Sequence, residues 1–193
     1  MKTAKYLGYI MFGSIAGFLI NTLLKYSGVF SLSNGKTIFT NFLVILVAFI
    51  FGTIFQVIVH EFGHVIFGLV TKYEFVSLGI GPFLFYKDGN KIRVNKILSH
   101  GFLGQNVMMP ILDDYSKQPY MLYLLGGVIA NFVFSTIFLL VALLGNFSVY
   151  FTMIAYTFTL VGVIFIFNNL APHKVNGLLS DGYSLYFQKN SKK

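Results

Sequence analysis

Four long apolar runs dominate this chain, and a bilayer is the solvent that suits them. They extend roughly from Tyr6 to Leu24, Ile38 to Val70, Tyr120 to Leu144 and Val149 to Leu170. A helix needs about 20 apolar residues to cross the hydrocarbon core, so three runs fit one span each. The second is over-long, and its final third carries His60, Glu61 and His64. We read it as one helix whose end sits in protein or in a wet cavity. The expected fold is an all-α polytopic membrane protein with about four transmembrane helices.

Composition agrees with that reading. Of the 193 residues, 56% are hydrophobic and only 10% charged, against about a quarter charged in a soluble domain. The apolar content excludes disorder, and the absence of short repeats excludes collagen-like and low-complexity chains. With no Cys, disulfides, thiolate catalysis and Cys-type zinc sites are excluded together. Any metal must be held by His and carboxylate. The first run follows Lys2 and Lys5 as in a signal peptide. It lacks a small-residue cleavage site and is long for an h-region, so a retained first helix is expected.

The chain carries 14 Lys and Arg against 6 Asp and Glu. With four spans and the N-terminus inside, twelve of the 14 fall on the cytoplasmic side, leaving Lys25 and Lys36 outside. The positive-inside rule therefore places both termini in the cytoplasm. It also accounts for the basic excess without nucleic acid, for which no aromatic-interleaved basic stripe exists. The abundance of Lys, Asn, Ile, Phe and Tyr suggests an AT-rich bacterial genome, hence a bacterial plasma membrane.

Between the second and third spans, Phe83-Leu84-Phe85-Tyr86 leads through Asp88-Gly89 into Lys91-Ile92-Arg93-Val94. Alternation flanking such a turn predicts a β-hairpin. Its apolar first strand suggests a small membrane-associated sheet, with the hairpin region at 75–104. Gln105 to Pro119, with Asp113 and Asp114, reads as a solvated polar loop. The chain thus divides into a first helix with its outer loop (1–36), a core (37–185) and a basic cytoplasmic tail (186–193).

His60-Glu61-Phe62-Gly63-His64 matches H-E-x-x-H. On a helix, residues four apart share a face, so both imidazoles can reach one metal. Glu61 lies about 100° round the helix from His60, near enough to act on a metal-bound water. Random order would produce this pattern roughly once in a thousand such chains. Three idle ionisable groups in so apolar a run would also be costly. A catalytic zinc needs a third protein ligand. Glu74 is too close in sequence, Asp88 belongs to the turn, and Asp113 and Asp114 sit in the polar loop. His100 follows the hairpin and His173 follows Pro172; both read as loop histidines. Asp181, just past the fourth span, lies at the same membrane level as HEFGH and is the best candidate.

These residues resemble the site-2 protease family of intramembrane zinc metalloproteases. HEFGH is similar to its metal motif. Gly126-Gly127-Val128-Ile129-Ala130-Asn131 is similar to its glycine-rich, Asn-ending motif. Asn169-Leu170-Ala171-Pro172 with Asp181-Gly182 is similar to its N-x-x-P…D-G motif. The resemblance covers about residues 40 to 185, without a PDZ-like or nucleotide-sensing domain. It implies one zinc per chain held by His60, His64 and Asp181, with Glu61 as general base. It also implies substrate contacts at Gly127, Asn131 and Asn169; the bland alternatives are helix packing for the glycine and structural hydrogen bonds for the asparagines. The family places its Asp nearer the motif Asn than the twelve residues separating Asn169 from Asp181. Asn176 lies nearer the usual position, and an Asn would be a poor ligand.

The expected activity is hydrolysis of a peptide bond in a transmembrane or membrane-proximal segment. Suitable substrates are a small membrane protein, a signal or leader peptide, or a peptide precursor. Strand addition to a sheet edge around Phe83 to Tyr86, with Phe85 in contact, would hold the substrate extended. A partner membrane protein or a homo-oligomer is compatible with this. The rival readings are a catalytically inactive zinc-binding accessory or immunity-type protein of the same fold, and a small transporter subunit.

Overall fold

A computed structural model of the chain describes residues 13, 15–25, 35–96, 104–112, 119–175 and 178–191. His100, Asp113, Asp114 and Asn176, and the beginning of the first apolar run, lie outside the described residues. The described portion is mostly helical. A short apolar helix, α1 (Ile15–Lys25), precedes three helices long and apolar enough to cross a membrane. These are α2 (Gly35–Val70), α3 (Met121–Leu144) and α4 (Val149–Leu170). Their limits fall within three residues of the second, third and fourth apolar runs, because each helix extends about as far as its apolar residues do. At 1.5 Å per residue, the 36 residues of α2 extend about 54 Å, well beyond a hydrocarbon core of about 30 Å.

A four-stranded antiparallel sheet follows α2. Its strands are β1 (Tyr73–Ile80), β2 (Phe83–Asp88), β3 (Lys91–Lys96) and β4 (Gly104–Pro110), in the order β3-β2-β1-β4. Lys72, in the left-handed region at φ 63°, ends the helix and turns the chain into β1. The predicted hairpin forms, with Asp88 paired to Lys91 and Gly89-Asn90 as the turn. Gly89 has φ +58°, and a positive φ at the first turn position matches a type II′ turn. Gly81, at φ +53°, does the same between Ile80 and Phe83.

Two expectations change here. Gln105 to Pro110 is strand β4, paired with β1 from Tyr73↔Pro110 to Ile80↔Gly104, not polar loop. Its polar first residues lack alternation, which hides the strand in the sequence. Phe85 lies on β2, which is paired on both sides. The edges among the described residues are β3 and β4, because two tight turns make β1, β2 and β3 a meander and β4 returns to β1's other side.

Beyond α4, strands β5 (Lys174–Val175) and β6 (Leu178–Leu179) form a small hairpin, followed by helix α5 (Asp181–Ser191). Part of the expected basic tail is therefore helical.

The chain divides into two compact units, residues 1–56 with 132–167, and 57–131 with 168–193. In the first, Leu19, Leu23, Ala142, Ala155, Tyr156 and Leu160 form the core. Gln56 is fully buried there, and its amide donates to Ser135 Oγ at 3.4 Å and the Phe158 carbonyl at 3.3 Å. Such bonds tie apolar helices together where hydrophobic contrast is weak. Phe39, Phe51 and Phe132 are among many large apolar side chains left outward-facing, as lipid-facing residues would be. The second unit contains the candidate site.

Candidate metal centre

The site starts with the spacing of HEFGH on α2. His60 and His64, one helical turn apart, bring their Nε2 atoms within 3.2 Å of each other. Asp181 at the start of α5 completes the group: Oδ2 lies 3.3 Å from His60 Nε2, and Oδ1 lies 3.4 Å from His64 Nε2. These three residues form a group that could hold a metal ion. Three N and O donors set tetrahedrally at about 2.0–2.1 Å from one centre stand about 3.3–3.4 Å apart. The two imidazole nitrogens, 3.2 Å apart, match that spacing, and each has one Asp181 oxygen at a similar distance, Oδ2 for His60 and Oδ1 for His64.

Hydrogen bonding prepares the donors. His64 Nδ1 lies 2.9 Å from the Tyr123 carbonyl oxygen. That oxygen can only accept, so Nδ1 carries the proton and Nε2 presents a lone pair. His60 Nδ1 lies 2.7 Å from Asn131 Oδ1 and is fixed in the same way. Two lone pairs and a carboxylate then face one another, an arrangement a cation relieves. Asp181 Oδ2 is buried and takes no hydrogen bond among the described residues, as an oxygen reserved for a metal would. Burial by itself would raise the Asp181 carboxyl, but in the metal-free chain His60 and His64, when they carry a proton on Nε2 as well, outweigh it by hydrogen bonding and charge and hold the group at about 2. It is therefore anionic at neutral pH.

Glycines let these side chains approach. A Cβ on Gly127 would stand 2.5–2.7 Å from three atoms of the His60 ring, so the ring lies flat against the α3 backbone. A Cβ on Gly126 would stand 2.6 Å from the Gly63 carbonyl oxygen, so α2 and α3 cross here in near backbone contact. At the head of β4, a Cβ on Gly104 would meet Glu61 Oε1 at 2.5 Å. Glu61 is buried and stands beside the metal group rather than within it.

Asp181 is positioned by its neighbours in sequence. Ser180 Oγ accepts from the Tyr183 backbone N–H at 3.2 Å and donates to the Ala171 carbonyl at 2.8 Å. The first bond caps α5; the second staples two residues nine apart. The Ser180 N–H also donates to the His173 carbonyl at 3.1 Å. The β5–β6 hairpin thus closes on itself and takes up the long spacing from Asn169 to Asp181. As the first residue of α5, the Asp181 carboxylate also gains from the helix dipole.

A cavity of about 340 Å³ opens onto the group, lined by Glu61, Gly104, Gln105, Asn106, Asn169 and Ser184 among others. The structure thus brings together His60, Glu61, His64, Asp181 and Asn169. Asn131, for which the resemblance implies a substrate contact, is fully buried and bonded to His60. Gly127 backs the same ring. Phe85 belongs to the interior strand β2 and does not line this cavity. His173 stands apart, its Nδ1 2.8 Å from the Ala171 carbonyl. Sequence reading missed Gly104, Asn106, Tyr123 and Ser180. Of these only Ser180 carried a local signal, a cap residue immediately before an acidic first turn. Comparison of the chain with protein-family models, with curated proteins and with solved structures returned no match.

Proposed function

We propose that this protein is an intramembrane zinc metalloendopeptidase of the site-2 protease type. The observation that carries the reading is the close grouping of His60 Nε2, His64 Nε2 and the two Asp181 carboxylate oxygens, 3.2–3.4 Å between neighbouring donors, with Glu61 lining the same cavity. An all-His and carboxylate donor set of three, beside an open cavity, suits a catalytic rather than a structural zinc. When bound, zinc supplies the Lewis acid that activates water and polarises a carbonyl. Glu61 takes the proton from the attacking water and returns it to the departing amine as the peptide bond breaks. His60, His64 and Asp181 hold the ion, and Asn131 and the Tyr123 carbonyl orient the imidazoles. Strand β4, a sheet edge lining the cavity, can pair with the backbone of an extended substrate.

The substrate class is a transmembrane or membrane-proximal segment of a small membrane protein, a signal or leader peptide, or a peptide precursor. In the full reading α1 belongs to a fourth span, both termini are cytoplasmic, and the membrane is a bacterial plasma membrane. The test compares membrane and secreted peptides from cells carrying the intact protein or Glu61→Gln. A single-span protein or leader that accumulates uncut with Glu61→Gln supports the protease. Matching profiles with zinc still bound would point instead to a zinc-binding accessory protein.

A further inference from the structure

The cavity wall contains a hydrogen-bond donor that the metal site does not use. Asn106, on β4, lines the same cavity as His60, Glu61, His64 and Asp181. Its Oδ1 accepts from the Tyr123 hydroxyl at 3.4 Å. Its Nδ2 is buried and has no partner among the described residues. The orientation of the amide follows from the tyrosine. In the bond to Tyr123 the hydroxyl is the donor, so the amide oxygen is the atom that faces it. The amide nitrogen therefore points its N–H groups away from the tyrosine. A buried donor left unsatisfied is costly, so it calls for an acceptor beyond the described residues, and the cavity that Asn106 lines is where a ligand could bring one. A cation would be repelled by those N–H groups, and a substrate N–H would meet donor with donor. A carbonyl oxygen fits.

We propose that Asn106 donates a hydrogen bond from Nδ2 to a backbone carbonyl oxygen of the bound peptide. This rests on the metalloprotease reading and adds to it a substrate-binding residue that neither the motifs nor the metal geometry contains. Asn106 stands two residues from Gly104, whose missing side chain makes room for Glu61. One short stretch of β4 therefore both accommodates the general base and grips the substrate backbone. Because a backbone carbonyl is recognised, the contact is indifferent to the substrate's side chains.

The test uses the zinc-loaded full chain in detergent and two probes. Acetohydroxamic acid reaches the metal alone; acetyl-Leu-Leu hydroxamate adds peptide carbonyls to the same chelating group. Asn106→Ala and the near-isosteric Asn106→Asp should each weaken the dipeptide probe about tenfold or more. Acetohydroxamate binding and zinc content should stay within about twofold of the unaltered protein. Unchanged dipeptide affinity overturns the proposal. So does a parallel loss of both probes, which would make Asn106 a support of the metal site. A dipeptide probe no tighter than acetohydroxamate on the unaltered chain overturns it too. If neither probe binds in a zinc-dependent way, the metalloprotease reading itself fails, an outcome distinct from the others.

Discussion

The Nδ1 of His60 lies 2.7 Å from the Oδ1 of Asn131, a bond between α2 and α3 made wholly in the interior. It turns an asparagine in an apolar helix from a liability into the support of a candidate metal ligand. The other ring nitrogen is thereby left as a lone-pair donor aimed at Asp181 and His64.

Removing that support should loosen the metal without dismantling the helices. Asn131→Leu is expected to lower zinc affinity about 10–100-fold, read by competition with a chromophoric chelator. Asn131→Asp keeps an acceptor oxygen and should retain most of the affinity. Equal losses for both variants would mean that Asn131 acts through packing instead.

Gly127→Ala tests the flat seating of the His60 ring. The added carbon would fall 2.5–2.7 Å from the ring, so His60 or α3 must shift. Overpacking of this kind costs about 1–3 kcal/mol, and zinc occupancy should fall with it. At Gly79 the nearest atom to an added Cβ is 3.7 Å away, so Gly79→Ala serves as the control and should leave zinc content unchanged. Similar behaviour of the two alanine variants would count against the close approach.

Asp181 gives the metal-free protein a defined acid response. Its carboxyl is lowered from the ordinary 3.8 to about 2, burial being outweighed by His60 and His64. A group depressed in the folded state stabilises it fully above the unfolded value, and that contribution disappears as pH falls through the folded one. Stability of the zinc-free chain in detergent should therefore drop between about pH 4 and pH 2. Asp181→Asn should flatten that part of the curve. Identical slopes in chemical unfolding would show that Asp181 is not the group responsible.

Ser180→Ala should destabilise the region by about 1–2 kcal/mol, losing the cap on α5 and the bond to Ala171 together. Because Asp181 is the next residue, zinc affinity should fall as well. Ser180→Thr keeps the hydroxyl and should restore most of both. A stable, fully zinc-binding Ser180→Ala protein would show that the β5–β6 hairpin places Asp181 without help from this serine.

Some of this was legible in the sequence because its causes are local. The ends of α2, α3 and α4 follow from where apolar residues start and stop. The hairpin follows from alternation about a glycine that tolerates positive φ, its turn falling at Gly89-Asn90, one residue beyond the Asp88-Gly89 read from the sequence. The pairing of His60 with His64 follows from helical spacing. Asp181 was reached by excluding other acids, by matching membrane levels and by the likeness of Asn169-Leu170-Ala171-Pro172 with Asp181-Gly182 to a family motif, not from local helical spacing.

The sequence alone therefore determined which segments are apolar enough to be helices in a membrane and which two imidazoles share a face. Each of these is set by neighbours within one or two turns of chain. Only the tertiary structure decided that β4 rather than β2 is, among the described residues, the sheet edge at the cavity, that Asn131 bonds to His60, and that Asp181, next to the capping Ser180, stands beside His60 and His64. Those outcomes depend on strand order, helix crossing and the closing of a hairpin. They bring together residues as far apart as His60 and Asp181, whose proximity is a property of the packed chain and of no single segment of it.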